Sequence, residues 1–294
     1  MSKVLIANWK ANPTTLDEAL ELFDFYLAEI SKYQNIQLVV CPPFVYLEEL
    51  AQKLPITNYT RPTADAVSGL GQLPITIGAQ DLFWKKSGPY TGEISVDMLH
   101  PVKSPVNFSL KEFHGGALRE QFDGVKKFGV THVLVGHSDR RYKIGETDEV
   151  INKKIKAVLA ADIIPVLLVG ERNRGDDRKQ ILEQQLTADF DGLTAEQVSK
   201  ILITYEPIWA ISTMPGAEPD DPENTLSALE IIREFIMRNF QFPISNLQLL
   251  YGGSLNSENI ADFLKHPEIS GAVIGGASLK KEEFGKILEM ASNL

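Results

Sequence analysis

A cation, an imidazole and a carboxylate each follow a short apolar run of the chain. Lys10 comes shortly after the first run, His137 directly after the fourth and Glu206 directly after the sixth. A carboxylate can accept and return a proton, and imidazole and ammonium groups can stabilise charge that develops on oxygen. These residue types together are suited to proton transfer.

Two glycine pairs follow the seventh and eighth apolar runs. They are Gly252-Gly253, which precedes Ser254, and Gly275-Gly276. Backbone N–H groups without a neighbouring side chain can approach phosphate oxygens closely. The pairs therefore predict a phosphorylated substrate.

Each of these residues alone is weak evidence. A single histidine at the end of a strand is usually structural, and a glycine pair can simply form a turn. We assign a structural role to the four histidines other than His137, which are His100, His114, His132 and His266. The functional interpretation depends on the shared position of the selected residues at the ends of predicted strands.

The elements that must position these residues alternate along the chain. Eight short runs are continuously apolar, which is typical of parallel strands buried on both faces. Segments between them have helical spacing, for example Leu16, Leu20, Phe23, Leu27 and Ile30 behind a capping-box pattern at Thr15–Glu18. The eight runs are Val4–Ala7, Leu38–Cys41, Ile75–Gly78, Val133–Gly136, Val166–Val169, Ile201–Tyr205, Leu247–Tyr251 and Ala272–Ile274.

This alternation predicts an α/β fold, a (β/α)8 barrel in which residues 1–294 form one domain. A doubly wound open sheet is the alternative, but no GxGxxG pattern follows the first run. Residues 56–74 and 100–117 do not fit the repeat, and we interpret them as insertions in loops. In such a barrel the carboxyl ends of the strands meet at one rim, where the selected residues would converge.

Composition limits the possible partners. Lys plus Arg number 29 and Asp plus Glu number 39, so the net charge is −10 and neither nucleic acid nor an anionic membrane surface is an expected partner. The single cysteine, Cys41, excludes an intrachain disulfide and a thiolate zinc cluster. The first residues contain no signal-peptide core, and the longest apolar run, Ile163–Val169, is too short to cross a bilayer. We expect a cytoplasmic protein.

Several motifs of the chain closely resemble the triosephosphate isomerase family, in the family's order from residue 8 to residue 279. The most specific are the three that follow the last three strands. The matching motifs are Asn8-Trp9-Lys10, Ala79-Gln80, Thr91–Ser95 (TGEIS), Gly136–Ser138 with Arg140-Arg141, Gly145–Glu149 (GETDE), Tyr205–Ile211 (YEPIWAI), Tyr251–Ser254 (YGGS) and Gly275–Leu279 (GGASL).

The resemblance implies a role for each catalytic position. Glu206 would be the base and His137 the electrophile, while Lys10 would neutralise substrate charge and Asn8 would help to shape the site. Asp139 stands where the family usually has glutamate, and we count it with the catalytic groups. The implied reaction interconverts dihydroxyacetone phosphate and D-glyceraldehyde 3-phosphate through an enediolate.

The resemblance also implies how the substrate and a second subunit are bound. Ser254, Gly275 and Gly276 would hold phosphate together with Asn8 and Lys10. Residues 207–216 would form a lid whose backbone near Ser212 touches the phosphate. Thr91 would reach a second subunit in a homodimer, and neither a metal nor an organic cofactor is implied.

The lid departs from the family pattern. The chain reads Ser212-Thr213-Met214-Pro215-Gly216 where the family usually has Gly-Thr-Gly-Lys, and it is longer before the next helix. We expect the second hinge to bend about Gly216. Two alternatives stay open from sequence: an isomerase of a related ketose phosphate, such as a tetrulose phosphate, and a catalytically silent barrel. Retention of Lys10, His137 and Glu206 argues against the silent barrel.

Overall fold

Eight parallel strands close into a barrel in the order of the chain, β1 to β8, with β8 hydrogen-bonded to β1. The structure is a computed structural model, which describes residues 2–54, 74–99, 129–240 and 247–294. This confirms the predicted (β/α)8 class and all eight apolar runs as strands. The strands are β1 (Lys3–Asn8), β2 (Ile36–Cys41), β3 (Ile75–Ala79), β4 (His132–Val135), β5 (Ile164–Val169), β6 (Leu202–Tyr205), β7 (Leu249–Tyr251) and β8 (Gly271–Ile274).

Helices separate the strands and cover the outside of the barrel. In the described ranges they are α1 (Leu16–Ile30), α2 (Leu47–Lys53), α3 (Val96–Leu99), α4 (Asp148–Ala160), α5 (Arg178–Asp189), α6 (Ala195–Val198), α7 (Pro222–Phe240), α8 (Ile260–Leu264) and α9 (Lys281–Ser292). The segment 100–117 lies outside the described residues, as does 56–74 apart from Pro74. The interpretation of both as insertions, and the single domain over 1–294, therefore stay predictions.

Two layers of apolar side chains explain why the strands read as continuous apolar runs. In β1, Val4 and Ile6 point into the barrel interior, where they pack with Val39, Leu134 and other inward residues. Leu5 and Ala7 of the same strand pack against the surrounding helices. Because successive strand residues point to opposite faces, a strand buried on both faces is apolar at consecutive positions and shows no alternation.

Side-chain caps fix where the helices begin. The Thr15 hydroxyl accepts a hydrogen bond from Glu18 N at 3.4 Å and donates to the Glu18 carboxylate at 2.9 Å, whereas in a full capping box the Thr15 N–H would donate to that carboxylate. Asp221 caps α7 by accepting from Asn224 N at 2.8 Å. These caps set the helix starts just after the loops that line the rim.

One buried histidine makes the stability of the barrel depend on pH. His132 lies in β4 with 3% of its surface exposed, and its Nδ1 is 2.8 Å from the Thr131 hydroxyl. Burial lowers the pKa of His132 to about 4, below its usual value of 6.5. Between these values the unfolded chain takes up a proton that the folded chain does not, so folding stability falls as pH decreases from about 6.5 towards 4.

We expect burial of His132 to lower the free energy of unfolding by up to about 2 kcal/mol as the pH falls from 7 to 5. His132→Gln should remove that part of the pH dependence, whereas His266→Gln, at a partly exposed site, should leave it unchanged. Urea unfolding followed by circular dichroism at pH 7, 6 and 5 measures the difference. Equal pH dependence in the wild type and in His132→Gln would contradict this assignment.

Candidate active site

A polar cleft lies at the carboxyl ends of the strands. It is lined by eight of the residues selected from sequence, together with neighbours from the lid and from the loop after β7. The eight residues are Asn8, Lys10, His137, Glu206, Ser212, Ser254, Gly275 and Gly276. The structure thus brings together residues that are up to 268 positions apart in the chain.

Lys10 has a backbone conformation that is uncommon for a residue with a side chain, with φ at 53°. Two polar side chains hold this conformation. Asn8 Oδ1 accepts from Lys10 N at 3.1 Å, and Gln80 Nε2 donates to Lys10 O at 2.7 Å and to Cys41 O at 2.9 Å. Asn8 is buried, with 4% of its surface exposed. Its side-chain carbonyl holds the Lys10 backbone in the conformation from which the Lys10 side chain extends away from the barrel wall.

Asp139 reaches Lys10 despite being one methylene shorter than the glutamate usual in the family. Its Oδ2 lies 3.1 Å from Lys10 Nζ, and its Oδ1 lies 2.7 Å from Lys143 Nζ. Partial burial acts to raise the pKa of Asp139, but the Lys143 hydrogen bond and the nearby His137 and Lys10 lower it to about 2. Asp139 is therefore a carboxylate throughout the neutral range and holds the Lys10 ammonium by charge.

The hydrogen bonds of His137 define its tautomer. Its Nδ1 accepts a hydrogen bond from Asp139 N at 3.0 Å, at the start of a π-helical turn (Asp139–Ile144). Because the backbone N–H occupies Nδ1, the proton of the neutral ring is on Nε2. Nε2 lies 3.2 Å from Glu206 Oε1, so the N–H donor and the carboxylate meet in the cleft.

Glu206 is 3% exposed and follows β6 directly. Its Oε2 accepts from Ser138 N at 2.8 Å, and its own N–H donates to Val169 O at 2.8 Å. The Glu206 backbone passes very close to Gly170, where a Cβ atom would overlap with Glu206 O. Only glycine at 170 allows this approach, which sets the position of the carboxylate relative to His137.

The loop after β8 lines the cleft next to Lys10. A Cβ atom on Gly275 would lie 3.6 Å from Lys10 Cε, and one on Gly276 would meet no heavy atom within 4 Å. The space between this backbone and Lys10 is thus accessible to a small anion, and any side chain at 275 would enter it. Ser254 lies beside it on the loop after β7.

The lid carries Ser212 at the edge of the cleft, with Ile211 and Thr213. Its first turn is held by Glu171, a carboxylate 1% exposed, which accepts from Trp209 Nε1 at 2.9 Å and from the Tyr205 hydroxyl at 2.7 Å. Gly216 has φ at 74°, a region that favours glycine. Bending of the second hinge about Gly216 stays a prediction.

Gln80 and Ser138 were quoted from the sequence only as parts of motifs, and Glu171 was not selected. The structure gives each a contact with the site: Gln80 with the Lys10 backbone, Glu171 with the lid and Ser138 with Glu206. Their position at strand ends was the available signal. Thr91 lies away from the cleft, in the exposed part of the loop after β3.

The described residues contain neither a cluster of metal-binding side chains nor a membrane-spanning helix. Within 2–54, 74–99, 129–240 and 247–294, no group of three or more His, Cys, Asp or Glu side chains is placed to hold a metal ion. In the same part of the chain, no helix has the length and apolar character needed to cross a membrane.

Comparison with known proteins gives a consistent result over nearly the whole chain. The sequence profile named triosephosphate isomerase matches residues 3–106 and 121–291. A curated protein from Dictyoglomus thermophilum, named triosephosphate isomerase, is 36% identical over 293 residues, which cover 98% of each chain. A second protein of that name, from Endomicrobium trichonymphae, is 33% identical over 293 residues, which cover 98% of this chain and 99% of the relative. A further one, from Dehalococcoides mccartyi, is 36% identical over 296 residues, which are 99% of this chain and 98% of the relative.

Proposed function

Since the chain belongs to the triosephosphate isomerase family, we propose that it performs the family's reaction with Glu206, His137 and Lys10 as its reacting and charge-stabilising groups. It interconverts dihydroxyacetone phosphate and D-glyceraldehyde 3-phosphate, an intramolecular aldose–ketose isomerisation. The observation that carries the residue assignment is the 3.2 Å approach of His137 Nε2 to Glu206 Oε1, within a cleft that Lys10 also lines.

Glu206 moves the proton between the two carbons. Its carboxylate takes a proton from the carbon next to the carbonyl group, which leaves an enediolate, and returns it to the adjacent carbon, while the hydroxyl proton passes from one oxygen to the other. The Ser138 N–H holds the second oxygen of Glu206 at 2.8 Å, so the carboxylate approaches the substrate in a fixed orientation. No other group need carry the carbon-bound proton.

His137 and Lys10 stabilise the oxygen charge of the enediolate. The Nε2–H of His137 is directed into the cleft because its Nδ1 is occupied by Asp139 N. The Lys10 ammonium supplies a positive charge, with Asp139 at 3.1 Å to hold it in place. Such preorganised donors act where charge develops during the reaction.

The phosphate binds on the opposite side of the cleft. The backbone at Gly275 and Gly276, Ser254 and the lid near Ser212 supply the donors there, with Asn8 and Lys10 at the base. This local set of donors allows an anionic substrate on a protein whose net charge is −10. No cofactor and no metal take part in the proposed reaction.

A coupled isomerase assay on the purified protein tests the function. Triose phosphates and a tetrulose phosphate are supplied side by side at equal concentrations. We expect the higher kcat/KM with triose phosphates. A preference for the tetrulose phosphate would assign the chain to the alternative ketose, and no turnover of either would indicate a silent barrel.

We also propose that the protein is a homodimer. Large apolar side chains are exposed on the loops after three consecutive strands: Val45 at 74% after β2, Tyr90 at 40% after β3 and Ile144 at 67% after β4. Thr91 is next to Tyr90 in the chain. Apolar residues exposed on adjoining loops of one rim indicate a protein interface, and an identical chain would bury them symmetrically.

Replacing Val45 and Ile144 together by glutamate should separate the subunits, because each subunit would then place two carboxylates in an apolar interface. Light scattering at micromolar concentration should give about twice 32.7 kDa for the wild type and about 32.7 kDa for the double variant. Met237→Glu, at a 50% exposed site on the outer helix α7, is the control and should keep the wild-type mass. A monomeric wild type with full activity would contradict the proposal.

We further place the protein in the cytoplasm. Cys41 is the only cysteine of the chain and is buried, which suits a reducing compartment where no disulfide is required. Cell fractionation with an antibody against the protein tests this location. Recovery in the membrane or secreted fraction would exclude it.

A further inference from the structure

A single arginine outside the cleft contacts both ends of the lid. Arg174 lies in the loop between β5 and α5. Its guanidinium carbon is 5.0 Å from the centre of the Trp209 ring, in the first turn of the lid. Its Nη1 is 2.5 Å from an oxygen of Glu218, two residues past the end of the lid.

The backbone also joins these two ends. Glu218 N donates to Trp209 O at 3.1 Å. Between them, Met214 N donates to Ile211 O at 2.8 Å and Ala217 N donates to Met214 O at 3.2 Å. The segment is thus a compact loop of successive turns whose base is closed by one backbone hydrogen bond and covered by Arg174.

Arg174 is also the counter-charge of an acidic stretch. The negative charges of Glu218, Asp220 and Asp221 all act on its guanidinium. Asp220 is itself fixed, since it accepts from Asn224 Nδ2 at 2.5 Å and from the Thr225 hydroxyl at 2.8 Å at the start of α7. One end of the lid is therefore anchored to a helix, and Arg174 attracts the rest of the stretch towards Trp209.

We propose that Arg174 is a positioning residue for the isomerase reaction, which holds the two ends of the lid together so that the lid closes over the substrate as one body. The inference depends on the proposed function, because only a bound substrate gives the lid something to enclose. The two side chains are largely exposed, at 53% for Arg174 and 60% for Glu218. Exposed ion pairs and cation–π contacts are individually weak, so the expected effect is moderate.

Loss of phosphate from the enediolate provides a measure of lid closure. If the C–O bond to phosphate breaks before the proton returns to carbon, the products are methylglyoxal and inorganic phosphate, and no oxidant or reductant is needed. A lid that is held closed keeps the intermediate enclosed until the proton returns. We expect Arg174→Ala to lower kcat/KM by about three- to tenfold and to raise the phosphate released per isomerisation by a similar factor, with thermal unfolding unchanged.

A neighbouring arginine supplies the matched control. Arg172 is in the same loop and has the same charge, but its guanidinium lies over the ring of Tyr142 at 5.3 Å. Arg172→Ala should keep the wild-type kcat/KM and phosphate release. Equal values for the Arg172→Ala and Arg174→Ala variants would overturn the proposal, whether both resemble the wild type or both are impaired.

A charge exchange tests the pairing itself. Arg174→Glu should be more impaired than Arg174→Ala, because the new carboxylate faces Glu218, Asp220 and Asp221. Adding Glu218→Arg should restore part of the loss, and no restoration would overturn the ion-pair step. Failure of the proposed function is distinguished in the same experiment, since the wild type would then turn over no triose phosphate at all.

Discussion

Replacement of Glu206 by glutamine is expected to lower kcat by roughly 10²–10⁴-fold, the usual contribution of a positioned acid or base. Glutamine keeps the size and planar shape of the side chain, so its oxygen can still accept from Ser138 N, as Glu206 Oε2 does at 2.8 Å. What is lost is an atom that can accept the carbon-bound proton. The effect should therefore appear in the chemical step and not in the fold.

Steady-state kinetics with glyceraldehyde 3-phosphate measure the loss, and competitive inhibition by inorganic phosphate provides the internal control. In the proposed mode phosphate binds at Gly275 and Gly276 and not at the Glu206 carboxylate, so the inhibition constant should stay within about twofold of the wild type. Turnover close to that of the wild type would show that another group is the base. A large change in phosphate inhibition would instead mean that the cleft has been distorted.

The barrel could be predicted from the sequence because its strands are buried on both faces. Each strand contributes side chains to an interior layer and to a layer under the helices, as Val4 and Leu5 do in β1, so the runs are largely apolar and do not alternate with polar residues. A helix between β5 and β6 follows from the predicted alternation, but the sequence shows no clear stripe for α5, whose buried apolar residues are only Leu182 and Leu186 among polar neighbours. Packing in the finished barrel, and not local pattern, determines that helix.

In the candidate site, the positions of the residues could be predicted from the sequence, but the contacts that orient them could not. A strand end can be read from sequence, and so can the residue type that follows it, which is why Lys10, His137 and Glu206 could be selected. The contacts that orient them are made by backbone N–H groups and by distant side chains, such as Gln80 with the Lys10 carbonyl. Such contacts depend on the geometry of the closed barrel, in which β1 and β3 are brought to the same rim. Local sequence carries no direct signal of them.

The same limit applies to the lid. The altered residues Met214, Pro215 and Gly216 are visible in the sequence, and they predict a changed second hinge. The contact between Arg174 and Glu218 spans two loops that are 44 residues apart, and no motif connects them. A positioning role for such a residue emerges only when both loops are placed on the same rim.

His137 should give the second large effect, and the choice of substitution tests its tautomer as well as its role. In His137→Asn the shorter amide can place its oxygen near the position of Nδ1 and still accept from Asp139 N, but it has no donor at the position of Nε2. We expect kcat to fall by about 10²–10³-fold, as for the loss of an oxyanion donor, with KM little changed, because this hydrogen bond strengthens as the enediolate forms.

His137→Gln provides the matched comparison. Its longer side chain can bring an amide N–H near the position of Nε2, which is 3.2 Å from Glu206 Oε1 in the wild type. If a neutral Nε2–H donor is what the reaction needs, the glutamine variant should retain more of kcat than the asparagine variant. Equal kcat values for the two would argue against a donor at Nε2, and an effect confined to KM would mean that His137 binds the ground state as strongly as the transition state. The geometry favours the donor, since the backbone N–H at Nδ1 leaves the imidazole only one place for its proton.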